Sequence, residues 1–165
     1  MSGVVVRPAA STDHTAIRDL LKLAFGGADE AKLVDDLRRD GDIVLELVAV
    51  ADREVVGHVL FSRLMISGEN DFAAVALAPL AVSPRFQKKG IGAALVSSAH
   101  DQLAAAGERL SIVLGDTAYY GRFGYEHGRA AEFECQYQGE HLQARAFGEA
   151  PRSGELIYAP AFGTL

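Results

Sequence analysis

The stretch Gln87-Lys88-Lys89-Gly90-Ile91-Gly92-Ala93 has the residue types and spacing to hold an anion. It follows the apolar run Leu80-Ala81-Val82 and a Ser83-Pro84-Arg85-Phe86 turn, and it opens the longest helical pattern in the chain. The first turn of a helix has backbone N–H groups without intrahelical partners and the positive end of the helix dipole, so it attracts phosphate oxygens. Gly90 and Gly92 allow close approach to the backbone, and Lys88 and Lys89 add positive charge. The same residues also suit a solvated turn whose glycines only start a helix, so the pattern alone leaves both roles open. Two nucleotide-binding motifs are excluded. No G-x-x-x-x-G-K-[ST] string occurs. A dinucleotide-binding turn needs a third glycine where Leu95 stands, and it follows the first strand of its fold, whereas this loop follows the fourth.

Other reactive side chains are scattered. Glu46 sits inside an otherwise apolar strand and His58 in the strand that pairs with it, so each is a candidate general base. A surface-facing or hydrogen-bonded structural role is the stronger reading of each, and a chain of water molecules would serve as base instead. Cys135 has no accompanying motif and reads as an inert apolar residue. The five histidines, at 14, 58, 100, 127 and 141, share no ligand spacing with each other or with Cys135, so no metal is expected.

These residues must be positioned by a mixed α/β order. Val4 to Arg7 is a short β-branched run stopped by Pro8. Ile17, Leu20, Leu21, Ala24 and Phe25 recur at helical spacing up to Gly26-Gly27, and a weaker helix runs from about Asp29 to Asp40. Ile43 to Val50 and Val55 to Ile66 flank a four-residue turn and form an antiparallel hairpin. Phe72 to Val82 is the next strand. Pro79 within it predicts a bulge or a local edge, because proline cannot donate to a fully paired ladder. A helix follows from about Gly90 to Ala106, with Ile91, Leu95, Ala99 and Leu103 on one face. Leu110 to Leu114 is a buried strand, parallel to its predecessor through that helix. Asp116 caps a short helix ending before Gly124. Phe133 to Tyr137 and Leu142 to Phe147 suit strands, and the segment from Pro151 onward has no clear pattern.

At 165 residues, with 49% apolar and 23% charged residues, the chain suits a single globular domain, 1–165. No apolar run reaches the roughly 20 residues that span a bilayer, and the first residues lack a signal-peptide layout. A lone cysteine fits a reducing compartment, so a cytoplasmic location away from membranes is expected. The net charge of −6 argues against nucleic-acid binding and weakly favours a cationic partner.

Two motifs in register, with this element order, resemble the GNAT acetyltransferases. Gln87-Lys88-Lys89-Gly90-Ile91-Gly92 is similar to the family's [QR]-x-x-G-x-[GA] signature, between the fourth strand and the third helix. Tyr120-Gly121-Arg122-Phe123-Gly124-Tyr125 is similar to its Y-x-x-x-G-[FY] segment, after the fifth strand. The resemblance covers about Val4 to Tyr125. It implies an α/β fold of order β-α-α-β-β-β-α-β-α-β whose fourth and fifth strands splay apart around acetyl-CoA, with transfer of the acetyl group to an amine by direct attack on the thioester.

On that resemblance, Gln87, Lys88, Lys89, Gly90, Ile91, Gly92 and Ala93 grip the pyrophosphate. Leu80, Ala81 and Val82 pair with the pantetheine arm like an added strand, and an N–H of Leu80 or Ala81 stabilises the oxyanion. Tyr120 is the general acid that protonates the leaving thiolate, while Tyr119 packs or forms a pocket wall. A packed aromatic is the alternative for Tyr120. A non-catalytic acyl-CoA sensor is the alternative for the whole chain. The acceptor, a small-molecule or peptide amine, cannot be read from these residues, and a homodimer is left open.

Overall fold

The computed structural model describes residues 3–164. Its first strand, β1 (Val4–Pro8), leads into two helices, α1 (His14–Phe25) and α2 (Asp29–Asp40). In α1, Ile17, Leu20 and Leu21 are buried, as their spacing requires, and the helix stops at Gly26, whose φ of 73° needs the left-handed region. Strands β2 (Ile43–Ala51) and β3 (Glu54–Ser67) form the expected antiparallel hairpin. Its two-residue turn holds Asp52 and Arg53 at φ 49° and 67°, the left-handed pair that matches strand twist.

Strand β4 (Phe72–Val82), helix α3 (Ile91–Ala105) and strand β5 (Leu110–Leu114) form a crossover unit, so β4 and β5 are parallel. A short helix, α4 (Thr117–Gly121), follows, capped by the Asp116 side chain, which accepts from the Ala118 N–H. Beyond it lie α5 (His127–Ala130), β6 (Glu132–Glu134), β7 (Leu142–Ala146) and β8 (Ser153–Ile157). The main sheet runs in the order β1-β2-β3-β4-β5-β7, with β5 and β7 antiparallel. Strand β3 is longer than its partner β2, and its last residues, Met65 to Ser67, pair with β8 instead.

Helix α3 covers one face of the sheet, where Leu95, Val96, Ala99 and Leu103 pack on Leu47, Val59, Phe61, Val75 and Leu77. Helices α1 and α2 cover the opposite face over Val48, Leu60 and Ala81. On that same face, α5, β6 and β8 bury Leu64, Ile66, Ala74 and Ile112.

The sheet opens where the site must form. Strands β4 and β5 pair only from Val75↔Ser111 to Leu77↔Val113, and β4 then runs on to Val82 without β5 beside it. Phe61 pairs with Leu77 but Val59 with Leu80, so Ala78 and Pro79 together oppose Leu60. Pro79 therefore sits in the bulge that its missing N–H predicted, and the Ala78–Pro79 peptide is cis.

The expectations weaken after Tyr125. The strand read at 133–137 spans only Glu132–Glu134. The Gln138 side chain donates to the carbonyls of Phe133 and Ala130 (2.6 and 3.0 Å) and turns the chain there. Helix α5 is a single turn too short for periodicity to reveal. Strand β8 buries only Leu156 and has Gly154 at φ 129°, where a Cβ would lie 2.7 Å from the Ser67 carbonyl oxygen. Such a strand has no alternating pattern to read. Among the described residues no helix is long and apolar enough to cross a membrane.

Gly57 in β3 allows α3 to approach, because a Cβ there would meet Leu95 Cδ1 at 2.9 Å and Ile91 Cγ2 at 3.0 Å. Gly57→Val should overpack this contact and lower stability by about 1–3 kcal/mol. Urea unfolding followed by circular dichroism measures this, and an unchanged midpoint would show that α3 is not held this closely.

Candidate active site

The gap between β4 and β5 opens into a cleft of about 460 Å³ beside the start of α3. Its walls include Leu80 and Val82 from β4, Phe86, Gln87 and Lys88 from the loop, and Gly90, Ile91, Gly92 and Ala93 from the helix start. Lys88 at φ 63° and Gly90 at φ 81° make the turn that swings the chain from strand into helix. Gly90 is the N-cap residue and no side chain caps α3, which leaves the N–H groups of its first turn facing the cleft region. The Gln87 side chain donates to the Val82 carbonyl at 3.2 Å and ties the loop to the strand.

Two of the expected binding residues have side chains elsewhere. Ala81 is buried on the α1/α2 face because side chains alternate along β4, so only its backbone borders the splayed edge. Lys89 folds over the Phe86 ring, its Nζ 5.3 Å from the centroid, and is not among the cleft walls.

The adjacent tyrosines of α4 diverge. Tyr119 lines the cleft, and its hydroxyl occupies the space that a Cβ on Gly92 would fill. Glycine at 92 is thus a requirement of the α3–α4 contact. Tyr120, the expected general acid, is not among the cleft walls. Its ring covers Gly115, just past β5, so closely that a Cβ there would lie 2.7 Å from Cε2. Tyr119 and Tyr125 contact it edge-on, at centroid distances of 5.0 and 5.9 Å. Burial, followed by the neighbouring Tyr119 and Asp116, pushes the Tyr120 phenol up to about 12, so it stays protonated at neutral pH.

Arg122 is a cleft residue that the sequence did not single out. Its guanidinium stacks 4.5 Å from the Tyr119 centroid, is exposed, and has no ion-pair partner among the described residues. Its place one helical turn after Tyr119 was the available signal.

Glu46 and His58 meet on the α1/α2 face. His58 Nε2 lies 2.8 Å from Glu46 Oε2, and Arg38 of α2 donates to both carboxylate oxygens at 2.6 and 3.1 Å. Burial raises the Glu46 pKa, but the bonds from His58 and Arg38 outweigh it and bring it to about 2. His58 is fully buried, and its Nδ1 has no hydrogen-bond partner among the described residues. Neither residue lines the cleft. Cys135 borders a separate hollow with Tyr137, Tyr158 and Phe162, formed by the C-terminal segment, and is not a cleft residue.

The family model described as acetyltransferase (GNAT) domain matches residues 5–128. The uncharacterized N-acetyltransferase YhbS of Escherichia coli K12 is 38% identical over 137 residues, 82% of this chain and 81% of its own length. A crystal structure of E. coli YhbS in complex with CoA superposes with a TM-score of 0.90 at 34% identity, covering 98% of this chain and 92% of that one. A GNAT acetyltransferase from Brucella melitensis in complex with acetyl-CoA gives 0.84 at 32% identity, with 98% and 99% coverage.

The Arg38–Glu46–His58 network makes a prediction that needs no ligand. The folded-state pKa of Glu46 lies below its ordinary value of 4.5, so the stability it contributes is complete above pH 4.5 and is lost as pH falls toward 2. Glu46→Gln should destabilise the protein by about 3 kcal/mol at pH 7, because Arg38 and His58 lose their anion. It should also flatten the acid limb of the stability profile between pH 4.5 and 2. Urea midpoints across pH test both, and an acid limb unchanged in the variant would remove Glu46 as its source.

Proposed function

This chain belongs to the GNAT acetyltransferase family, and we propose that it transfers an acetyl group from acetyl-CoA to a primary amine by direct attack on the thioester. The observation that carries the reading is the opening between β4 and β5, with an uncapped helix start at its mouth and the Tyr120 ring packed on Gly115 just past the end of β5. The CoA and acetyl-CoA bound by the YhbS and Brucella proteins support it.

The residues fit such a donor. The N–H groups of the first turn of α3 and the Lys88 ammonium suit a pyrophosphate, and Arg122 offers a second cation on the facing wall. The edge of β4 from Leu80 to Val82, free of β5, suits an extended amide-bearing arm added as a strand. An N–H of Leu80 or Ala81, next to the bulge, would donate to the carbonyl oxygen as negative charge gathers there.

Acetyl-CoA supplies an activated acyl group on a thiol leaving group. The acceptor amine sheds one proton to water and its nitrogen bonds to the thioester carbon. The carbon–sulfur bond then breaks, the nitrogen releases its second proton, and Tyr120 gives its proton to the departing sulfur. Water reprotonates the phenolate. Water is the proposed proton acceptor because Glu46, held near 2, is a weak base enclosed by Arg38 and His58.

Titration calorimetry with acetyl-CoA beside NAD and ATP tests the donor, and thiol release across a panel of amines tests turnover. Selective acetyl-CoA binding with amine-dependent thiol release is expected, whereas binding without release from any amine would indicate a sensor. Gly92→Val, which drives a side chain into Tyr119, should weaken acetyl-CoA binding more than about tenfold. Tyr120→Phe should lower kcat by about 10- to 100-fold while leaving the acetyl-CoA Kd within about twofold. Full turnover in that variant would reduce Tyr120 to packing.

A further inference from the structure

A buried polar chain behind α4 has no part in the reading above. His100 of α3 is 4% exposed, and its Nδ1 lies 2.9 Å from Nη1 of Arg145 on β7. Its Nε2 lies 2.9 Å from the Tyr125 hydroxyl, which is 2.8 Å from Ser111 Oγ on β5. A guanidinium cannot accept a hydrogen bond, so Nδ1 must present its lone pair to Arg145. Nε2 then carries the ring proton and donates to Tyr125, whose hydroxyl shares the next bond with Ser111. Arg145 thus sets the direction of the His100–Tyr125 bond. Burial, followed by the Arg145 charge, lowers the His100 pKa to about 4, so the imidazole is neutral and the chain intact at neutral pH.

The same Arg145 Nη1 donates to the Phe123 carbonyl at 3.0 Å. Its side chain also packs on Gly124, where a Cβ would lie 3.2 Å from Cδ. The segment leaving α4 is therefore pinned at two points, by Arg145 at Phe123 and by the His100–Ser111 pair at Tyr125. The 2%-exposed Tyr125 ring stands edge-on to Tyr120 at an interplanar angle of 85°, and the Tyr120 ring also packs on the Gly115 backbone. Tyr120 thus touches both Tyr125 and Gly115.

We propose that His100 and Arg145 are positioning residues: through Tyr125 they hold the Tyr120 ring against Gly115 and so fix its hydroxyl in place. The functional half of this inference rests on the reading of Tyr120 as the proton donor. The positioning half stands on geometry alone. A ring free to swing would present its proton to the sulfur in only a fraction of encounters, so the loss falls on kcat and not on donor affinity.

The test uses ¹³C-tyrosine-labelled protein and two variants, His100→Gln and Tyr125→Phe, each made alone and with Tyr120→Phe. Tyr125→Phe keeps the ring edge but removes the hydroxyl, so it carries the test if His100→Gln does not fold. The Tyr120 ring signal is the one missing from Tyr120→Phe. In both variants it should move toward the position of a mobile tyrosine, while Tyr137 and Tyr158, paired elsewhere at 5.4 Å, stay unchanged. Thiol release from acetyl-CoA should fall about tenfold with the acetyl-CoA Kd within about twofold, and the loss should shrink to less than about twofold when Tyr120 is already Phe. A Tyr120 signal unmoved in folded variants overturns the proposal, as does an equal loss in both backgrounds. A moved signal combined with full turnover in Tyr120→Phe would sustain the positioning and sink the role of Tyr120 as acid.

Discussion

The parting of β4 from β5 is the constraint on which the rest of the molecule depends. Two parallel strands that stayed paired would bury their backbone groups against each other and leave no edge for anything else. The bulge at Ala78-Pro79 ends that pairing after Leu77, so the strand from Leu80 to Val82 keeps its hydrogen bonds to β3 on one side and offers its other side to the cleft. A proline suits that position because it brings no N–H that would have to be satisfied.

An opening in a sheet is stable only if its walls are held from outside. One wall is α3, which lies close to β3 because Gly57 has no side chain and whose apolar face fills the core beneath. The other wall is α4, a helix of five residues that cannot hold itself in place. Its support comes from the polar node of His100, Tyr125, Ser111 and Arg145, which joins α3, β5 and β7 behind it. A buried network with each member satisfied is directional, whereas apolar packing tolerates small rotations. That difference suits a helix whose two tyrosines are set differently, Tyr119 on the cleft wall and Tyr120 against Gly115.

On the opposite face, the Arg38–Glu46–His58 network joins α2 to β2 and β3 without entering the cleft. A carboxylate in an apolar strand and a histidine across from it look reactive in a linear sequence. In three dimensions they bond to each other, and Arg38 was the missing partner because it approaches from a helix rather than from the strands.

The sequence by itself determined the elements from Val4 to Tyr125, the parallel crossover through α3, and the glycine-rich start of that helix. It also determined that Pro79 would break the ladder. These follow from local rules: the 3.6- and 2-residue periodicities, the caps, and the missing N–H of proline. Of the C-terminal strands, β7 was legible at 142–147 and β6 was read too long, whereas β8 was not legible, since it is short, buries one apolar residue and pairs with the part of β3 that outruns β2. Tertiary structure alone decided which α4 tyrosine reaches the cleft wall, that Ala81 and Lys89 turn away from it, that Arg122 joins it, and that His100 is held by Arg145. The physical reason is common to all of them. A residue's type and local period fix the face it occupies, but whether that face meets solvent, substrate or a buried charge depends on segments far away in the chain.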